Sequence, residues 1–392
     1  MSTDLKKIIA TEANSAVQLY PKRGIALARG EGSYVLDTNE KKYLDFMTNL
    51  GVNILGYSKP SVTSAVAKQL ETLPSTHQTF YSPPRADFLD ELKSIFPQAL
   101  SKVIFTNSGA ESVEVALKLA MAATGKSGFI AVSNAYHGKS LGSLSLTAQE
   151  SYKTNFLPFI SKEVLRIPFN DIDATKKNIS GSTAAVIVEP IQGEAGVILP
   201  GENYLSELKE LCQSRGILLI FDEVQSAIRT GSWLASEQYG VVPDIACFSK
   251  SFSYGIPFGF VVAMKEIGDK LSKGGHGSTF AANPLACVAA AQVIRQIKTQ
   301  QLLENAKRMG NYFLEELKNI QDPVILEIKG RGLMIGIALK DPTTPYLKKL
   351  QDMGLIAASS SSNTIRFLPP INVSKTEIDE ALKIIKEVFS DV

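Results

Sequence analysis

Cysteine is scarce in this chain, and apolar runs of membrane length are missing. Cys212, Cys247 and Cys287 are the only cysteines among 392 residues, and they stand far apart. An odd, scattered set supports neither a disulfide framework nor a zinc site, and it fits a reducing compartment. No stretch approaches the roughly 18 consecutive apolar residues that span a bilayer. The opening MSTDLKKIIATEANS lacks the apolar centre and small-residue cleavage site of a secretory leader. Neither sign of charge dominates: 41 Lys and Arg against 39 Asp and Glu leave a net +2. No long-range field therefore selects nucleic acid or a membrane surface. With hydrophobic residues at 44% and charged residues at 20%, the expectation is a cytoplasmic globular protein without metal, long enough for two or three domains.

What is present is a repeated alternation of apolar runs and helical patterns. Strands are predicted at 101–106, 128–133, 184–190, 217–221, 245–249 and 258–264, each apolar without polar alternation, as in strands covered on both faces. A helix is predicted over 111–126, with Gly125 as its stop. The chain should therefore be α/β, with a mostly parallel sheet. Its ends differ. Residues 24–46 read as a hairpin-like strand pair around a Thr-Asn-Glu turn. Beyond about 296, Leu302, Ala306, Met309, Phe313 and Leu317 mark one helical face. The last helix opens on a capping box, Ser374-Lys-Thr-Glu377, and carries Ile378, Leu382, Ile385 and Phe389 on its apolar face. The expected division is 1–50 and 296–392 for a small α+β domain built from both termini, with 51–295 as the large domain.

Two strand ends carry the chemistry. Asp222 closes the run ILLIFDEVQ, and Lys250, 28 residues further on, follows DIACFS. An acid and an amine leaving neighbouring strands suit pyridoxal phosphate. The lysine forms a Schiff base with the cofactor aldehyde, and the acid keeps the pyridine nitrogen protonated. Upstream, Thr106-Asn-Ser-Gly-Ala-Glu111 joins a strand to a helix with small residues, a turn able to cradle phosphate. Tyr136 offers a ring to stack on a planar group, and Lys139 a charge for a carboxylate. Glu194 follows a further strand, 184–190, and Gln225 stands three residues past Asp222 at the same strand end. Thr279 lies in a glycine-rich loop, 274–280, and Arg366 is the best candidate for a bidentate carboxylate contact. Each piece alone has an ordinary reading, such as a solvated lysine, a helix cap or a loop acid. Together those readings need several coincidences, in order, along one sheet.

With these motifs the sequence resembles the class III (ω-amino) aminotransferases of fold-type I pyridoxal phosphate enzymes, from about residue 19 to 390. It is closest to the branch acting on acetylornithine or on carrier-protein-linked lysine or ornithine. RGEGSYVLD (29–37), NSGAESVEVALKLA (107–120), YHGKSLGSLSLT (136–147), AAVIVEPIQGEAGV (184–197), DEVQ (222–225), FSKS (248–251), HGSTFAANPLAC (276–287), GRGLMIGI (330–337) and RFLPP (366–370) carry the likeness. The resemblance implies that Ser108, Gly109 and Ala110 hold the phosphate and that Tyr136 stacks on the ring. Asp222 pairs with the ring nitrogen, Gln225 sits near the phenolic oxygen, and Lys250 carries the cofactor. It implies that Thr279 reaches the phosphate of a partner subunit, making the enzyme a homodimer or larger. Ser278 and Lys139 lie near substrate, Arg366 clamps the α-carboxylate of glutamate, and Glu194 pairs with that arginine while the ω-amino donor is bound.

Four departures from the family pattern are expected to flank the substrate. They are Lys139 for arginine, the shortened Ser226-Ala-Ile-Arg-Thr-Gly231, Ser251-Phe-Ser-Tyr-Gly255 in a usually glycine-rich run, and Tyr57 for histidine. The expected reaction moves an ω-amino group to 2-oxoglutarate. N-acetylornithine or a carrier-linked lysine or ornithine ranks first, free ornithine second and 4-aminobutyrate third. A carrier-linked donor, brought by an amino-group carrier protein, calls for a basic rim at the active-site mouth. An aminomutase or racemase, or a non-catalytic relative, is the alternative from another class.

Overall fold

The computed structural model describes residues 5–390; residues 1–4 and 391–392, the outer ends of the two expected terminal segments, lie outside the described residues. Three strands, β1 (Leu27–Glu31), β2 (Tyr34–Asp37) and β3 (Lys42–Asp45), come first. Seven follow: β4 (Leu100–Thr106), β5 (Gly128–Val132), β6 (Val164–Ile167), β7 (Thr183–Val188), β8 (Leu218–Asp222), β9 (Ile245–Phe248) and β10 (Gly259–Met264). The last five are β11 (Ile325–Arg331), β12 (Met334–Leu339), β13 (Leu355–Ile356), β14 (Ala358–Ser360) and β15 (Thr364–Phe367).

The large sheet runs β4-β10-β9-β8-β7-β5-β6. Every pair among β5 to β9 that meets is parallel, and β10 is antiparallel to both neighbours. Each residue of β5, β7 and β9 is buried, which accounts for their unbroken apolar runs. β6 escaped the sequence reading because it is the edge strand, with Leu165 and Arg166 exposed. The terminal segments interlock, since β13 runs parallel to β3 in a four-stranded sheet β1-β2-β3-β13. The pair expected at 24–46 is thus three strands. The turn at Gly32–Ser33 was not foreseen, while Thr38-Asn-Glu40 turns β2 into β3. The remaining sheet, β11-β12-β15-β14, places Arg366 on an inner strand, opposite Gly336 and Ala358.

Local chemistry explains the helix ends. Ser108 caps the helix Gly109–Thr124 by accepting from Glu111 N, and Gly125 ends it at φ 68°, a left-handed turn that suits glycine. The capping box before Lys375–Ser390 is reciprocal: Ser374 N donates to Glu377, and Glu377 N donates to Ser374 Oγ. Beneath the β9 turn lies an aromatic cluster. Phe248 stacks on Phe96 at 4.9 Å and on Phe260 at 5.0 Å, while Phe252 packs edge-on against Phe248 and Phe260. Phe252 follows Lys250 by two residues, so this packing fixes the turn that carries the lysine. No helix among the described residues is long and apolar enough to cross a membrane.

The helix Leu302–Lys318 seats on the turn between β11 and β12 through Gly310. A Cβ there would lie 2.2 Å from the Gly332 carbonyl oxygen, a backbone atom that cannot rotate away. Alanine favours a helix by about 1 kcal/mol, but overpacking a fitted contact costs about 1–3 kcal/mol, so the contact wins. Gly310→Ala should lower the urea midpoint; an unchanged or raised midpoint would contradict this packing.

Candidate active site

The carboxyl ends of the parallel strands converge on one cavity of about 520 Å³, the usual ligand position in open α/β sheets. Asp222 enters from β8, Lys250 from the turn after β9, Glu189 and Glu194 from beyond β7, and Tyr136 to Lys139 from beyond β5. The helix Gly109–Thr124 points its first turn at the opposite wall, through Gly109 and Ala110. Glu111 N is taken by the Ser108 cap, which leaves the Gly109 and Ala110 N–H groups, without acceptors inside their own helix, for an anion. Gly109 also lets the start of this helix pack against Val224, because a Cβ there would lie 2.7 Å from its Cγ1.

Asp222 is buried, and its Oδ2 lies 2.8 Å from His137 Nδ1. Its Oδ1 accepts from Val224 N. His137 is fixed in turn by its own N–H donating to Thr147 Oγ1, and its Nε2 has no hydrogen-bond partner. Lys250 Nζ faces Glu194, Asp222 and Glu189, which favour its charge, and Arg366, which opposes it. Burial outweighs each of them, and the amine is held below its ordinary pKa. An amine that releases its proton more readily is a better nucleophile. Glu189 accepts from Tyr136 N and Gly193 N. Burial, opposed by His137 and reinforced by Asp222, pushes its pKa up to about 7.

The second half of the site is a cluster of three side chains. Arg366, fully buried, donates from Nη1 to Gln225 Oε1 at 2.7 Å. Its Nη2 lies 2.9 Å from Glu194 Oε1, close enough for an ion pair but not aligned as a hydrogen bond. Gln225 Nε2 donates to the same Glu194 oxygen at 3.4 Å. Burial alone would raise Glu194, but Arg366 and Lys250 hold its carboxyl below the usual range. Tyr136 is driven the other way, to about 12, by burial and then by Glu194.

The donor set fits pyridoxal phosphate: free helix amides for a phosphate, a fixed carboxylate opposite, an amine between them, and an aromatic ring on the wall. Gly109, Ala110, Tyr136, Lys139, Glu194, Asp222, Gln225 and Lys250 all line this cavity, and Ser108 caps the helix beside it. Arg366 reaches the cavity through Gln225 and Glu194. Thr279 and Ser278 do not line it. Thr279 is exposed, and Ser278 Oγ accepts from Asn107 Nδ2. His137 and Glu189 were not singled out in the sequence, because a histidine or acid in a loop has too many ordinary uses.

Of the four departures, Lys139 lines this cavity, and Ser253 and Gly255 line an adjoining pocket that shares Ser249 and Lys250 with it. Tyr57 donates to Asp45 Oδ2, and Tyr254 accepts from Lys59 N. Arg229 is buried under Gly51, whose carbonyl oxygen accepts from its Nη2. These side chains brace the backbone. The Lys139 ammonium lies 4.2 Å from the Tyr152 ring centre and 5.4 Å from that of Tyr20.

Comparison with known proteins agrees with this geometry. The family model for class III aminotransferases matches residues 17–389. An acetylornithine aminotransferase of Methanosarcina acetivorans is 38% identical, over 97% of this chain and 95% of its own length. A [LysW]-aminoadipate semialdehyde transaminase of Deinococcus radiodurans is 36% identical, over 98% and 91%. Among solved structures, ornithine aminotransferase from Toxoplasma gondii superposes with a TM-score of 0.94 at 30% identity, covering 99% of this chain and 96% of that one. Acetylornithine aminotransferase from Elizabethkingia anophelis gives 0.87 at 31%, with both chains covered completely.

The Glu189 carboxyl titrates well above an unfolded glutamate, so the native state holds its proton over a range where the unfolded chain has lost it. Its contribution to stability is present at low pH and is lost as pH rises towards about 7. Urea unfolding at pH 5 and pH 8 should show a smaller loss of stability on raising the pH in Glu189→Gln than in the parent. Equal losses would mean that Glu189 is not held protonated.

Proposed function

The chain belongs to the class III aminotransferases, and on that premise we propose that it moves the ω-amino group of a small N-acylated diamino acid to 2-oxoglutarate. N-acetylornithine is the first choice of donor, and the products are a semialdehyde and glutamate. The enzyme is a pyridoxal-phosphate-dependent transaminase. When bound, the cofactor supplies an electron sink that lets the carbon beside the transferred nitrogen give up its proton. Lys250 would hold the cofactor and then take that proton on Nζ, its lowered pKa leaving the amine unprotonated and able to accept it. Asp222, held by His137, would place its carboxylate at the ring nitrogen, and Ser108, Gly109 and Ala110 would anchor the phosphate. Arg366 receives the α-carboxylate of glutamate or 2-oxoglutarate, and Glu194 covers it while the amino donor occupies the site.

The observation that carries the choice of donor is a second chamber of about 650 Å³, which shares Tyr136 and Glu194 with the first. Its other lining residues include Asn134, Gln149, Ser359, Ser362 and Asn363, and Glu194 is its one charged member. A free α-ammonium there would find one carboxylate, Glu194, already engaged by Arg366, and no second anion among the lining residues. An acylated nitrogen is neutral and suits hydroxyls and amides. Tyr152 borders this chamber while its ring carries Lys139. A donor whose α-carbon lies at Tyr152 can therefore set its carboxylate on Lys139 and its acyl group in the second chamber. Lysine meets a carboxylate as a point charge without arginine's fork, so the aromatic faces supply part of the orientation.

Lys139 is the only cation besides Lys250 among the described lysines and arginines lining either chamber. That favours a small donor over one carried by an acidic protein. The three buried, unpaired cysteines support a cytoplasmic setting. A homodimer is supported by Phe80 and Phe280, 66% and 68% exposed, the latter beside the exposed Thr279. A second copy covering them would receive Thr279 at its phosphate end. Sedimentation at the mass of two chains is expected, and a stable, fully active monomer would contradict it.

The donor assignment is tested by steady-state kinetics with 2-oxoglutarate as acceptor. The expected order of kcat/KM is N-acetylornithine, then ornithine, then 4-aminobutyrate, with the first exceeding the second by roughly tenfold or more. Ornithine equal to or better than its acetylated form would reject the second chamber as the acyl site.

A further inference from the structure

We propose that Gln225 is the positioning residue of the carboxylate clamp: its side-chain amide keeps Arg366 aimed at the cavity when Glu194 withdraws. This rests on the reading that Arg366 receives the oxo acid. Glu194 is the member of the cluster that has to move, because both it and an incoming carboxylate claim the same guanidinium. Once Glu194 leaves, Nη1 bonded to Gln225 Oε1 is the one hydrogen bond from Arg366 that remains, since Nε and Nη2 donate to no acceptor. A long side chain with a single anchor loses its orientation if that anchor is loose. Here it is not loose. Gly193 backs the amide so closely that a Cβ would lie 2.0 Å from Oε1. Gly193 is itself pinned, its N–H to Glu189 and its carbonyl oxygen to the Ser360 hydroxyl.

The choice of amide matters as much as its position. A neutral acceptor holds the guanidinium without neutralising it, so the full charge stays available to substrate. A carboxylate at 225 would pair with Arg366 permanently and compete with the oxo acid; an alkyl group would leave the guanidinium unanchored. Gln225 thus separates the two half-reactions, since the amino donor does not use Arg366 while the oxo acid depends on it.

The test uses holoenzyme and glutarate, a dicarboxylate without an oxo group, as a non-reacting probe whose binding is followed by calorimetry. Gln225→Glu and Gln225→Leu should each weaken glutarate by roughly tenfold or more, the loss expected for a charge-assisted hydrogen bond. The ratio of KM for 2-oxoglutarate to KM for the amino donor should rise by a similar factor. Gly193→Ala, whose methyl displaces the amide, should show the same bias and serves if the Gln225 variants fail to fold. Parent-like glutarate binding in these variants would overturn the proposal, as would equal losses for oxo acid and donor, which would place the effect on the cofactor. Arg366→Ala separates the two levels: if it too binds glutarate like the parent, the assignment of Arg366 itself has failed.

Discussion

Everything in this site depends on how opposed charges share one buried volume. Lys250 and Arg366 bring two cations to the cavity; Asp222 and Glu194 bring two anions, and Glu189 a third that titrates near neutrality. Burial penalises every one of them, and none could remain charged there alone. Paired as they are, each keeps a task. The lysine gives up its proton more readily, Glu194 stays ionised against its arginine, and Asp222 is held by a histidine. The parallel sheet makes this possible by delivering side chains from successive strand ends to one edge, while the aromatic cluster behind β9 keeps the lysine turn rigid.

In the proposed reaction the two substrates share this volume by exchanging partners within it. Glu194 pairs with Arg366 in this structure, and in the proposed reaction a substrate carboxylate takes its place. The backbone beneath Glu194 need not travel, because Ser361 N donates to the Glu194 carbonyl oxygen and Ser360 holds Gly193. Only the side chain has to turn. The second chamber, whose one charged lining residue is already paired with Arg366, supports the proposed preference for a donor whose distal nitrogen carries no charge.

Much of this was legible in the sequence, because strand ends in α/β proteins announce themselves. Asp222, Lys250 and the Ser108 turn each follow an apolar run, and an unbroken run means a strand buried on both faces. The helix caps at Ser108, Gly125 and Ser374 were equally readable, since capping is local chemistry. The edge strand β6 was hidden by its own exposed face, and the turn at Gly32 by the shortness of the strands beside it. His137 and Glu189 were illegible as site residues because their roles come from partners 85 and 53 positions away in sequence. The same is true of the departures from the family pattern. Tyr57, Tyr254 and Arg229 sit in motifs that flank the site, yet their side chains turn into the scaffold, and no linear pattern records which way a side chain turns.

The central claim is that Lys250, and no other amine, carries the cofactor in this charged pocket. Borohydride reduction of the loaded enzyme, followed by peptide mass analysis, tests it most directly. The expected result is a single peptide bearing reduced pyridoxyl phosphate on Lys250. The mass on any other lysine, Lys139 included, or an unmodified Lys250 peptide in fully loaded enzyme, would contradict it.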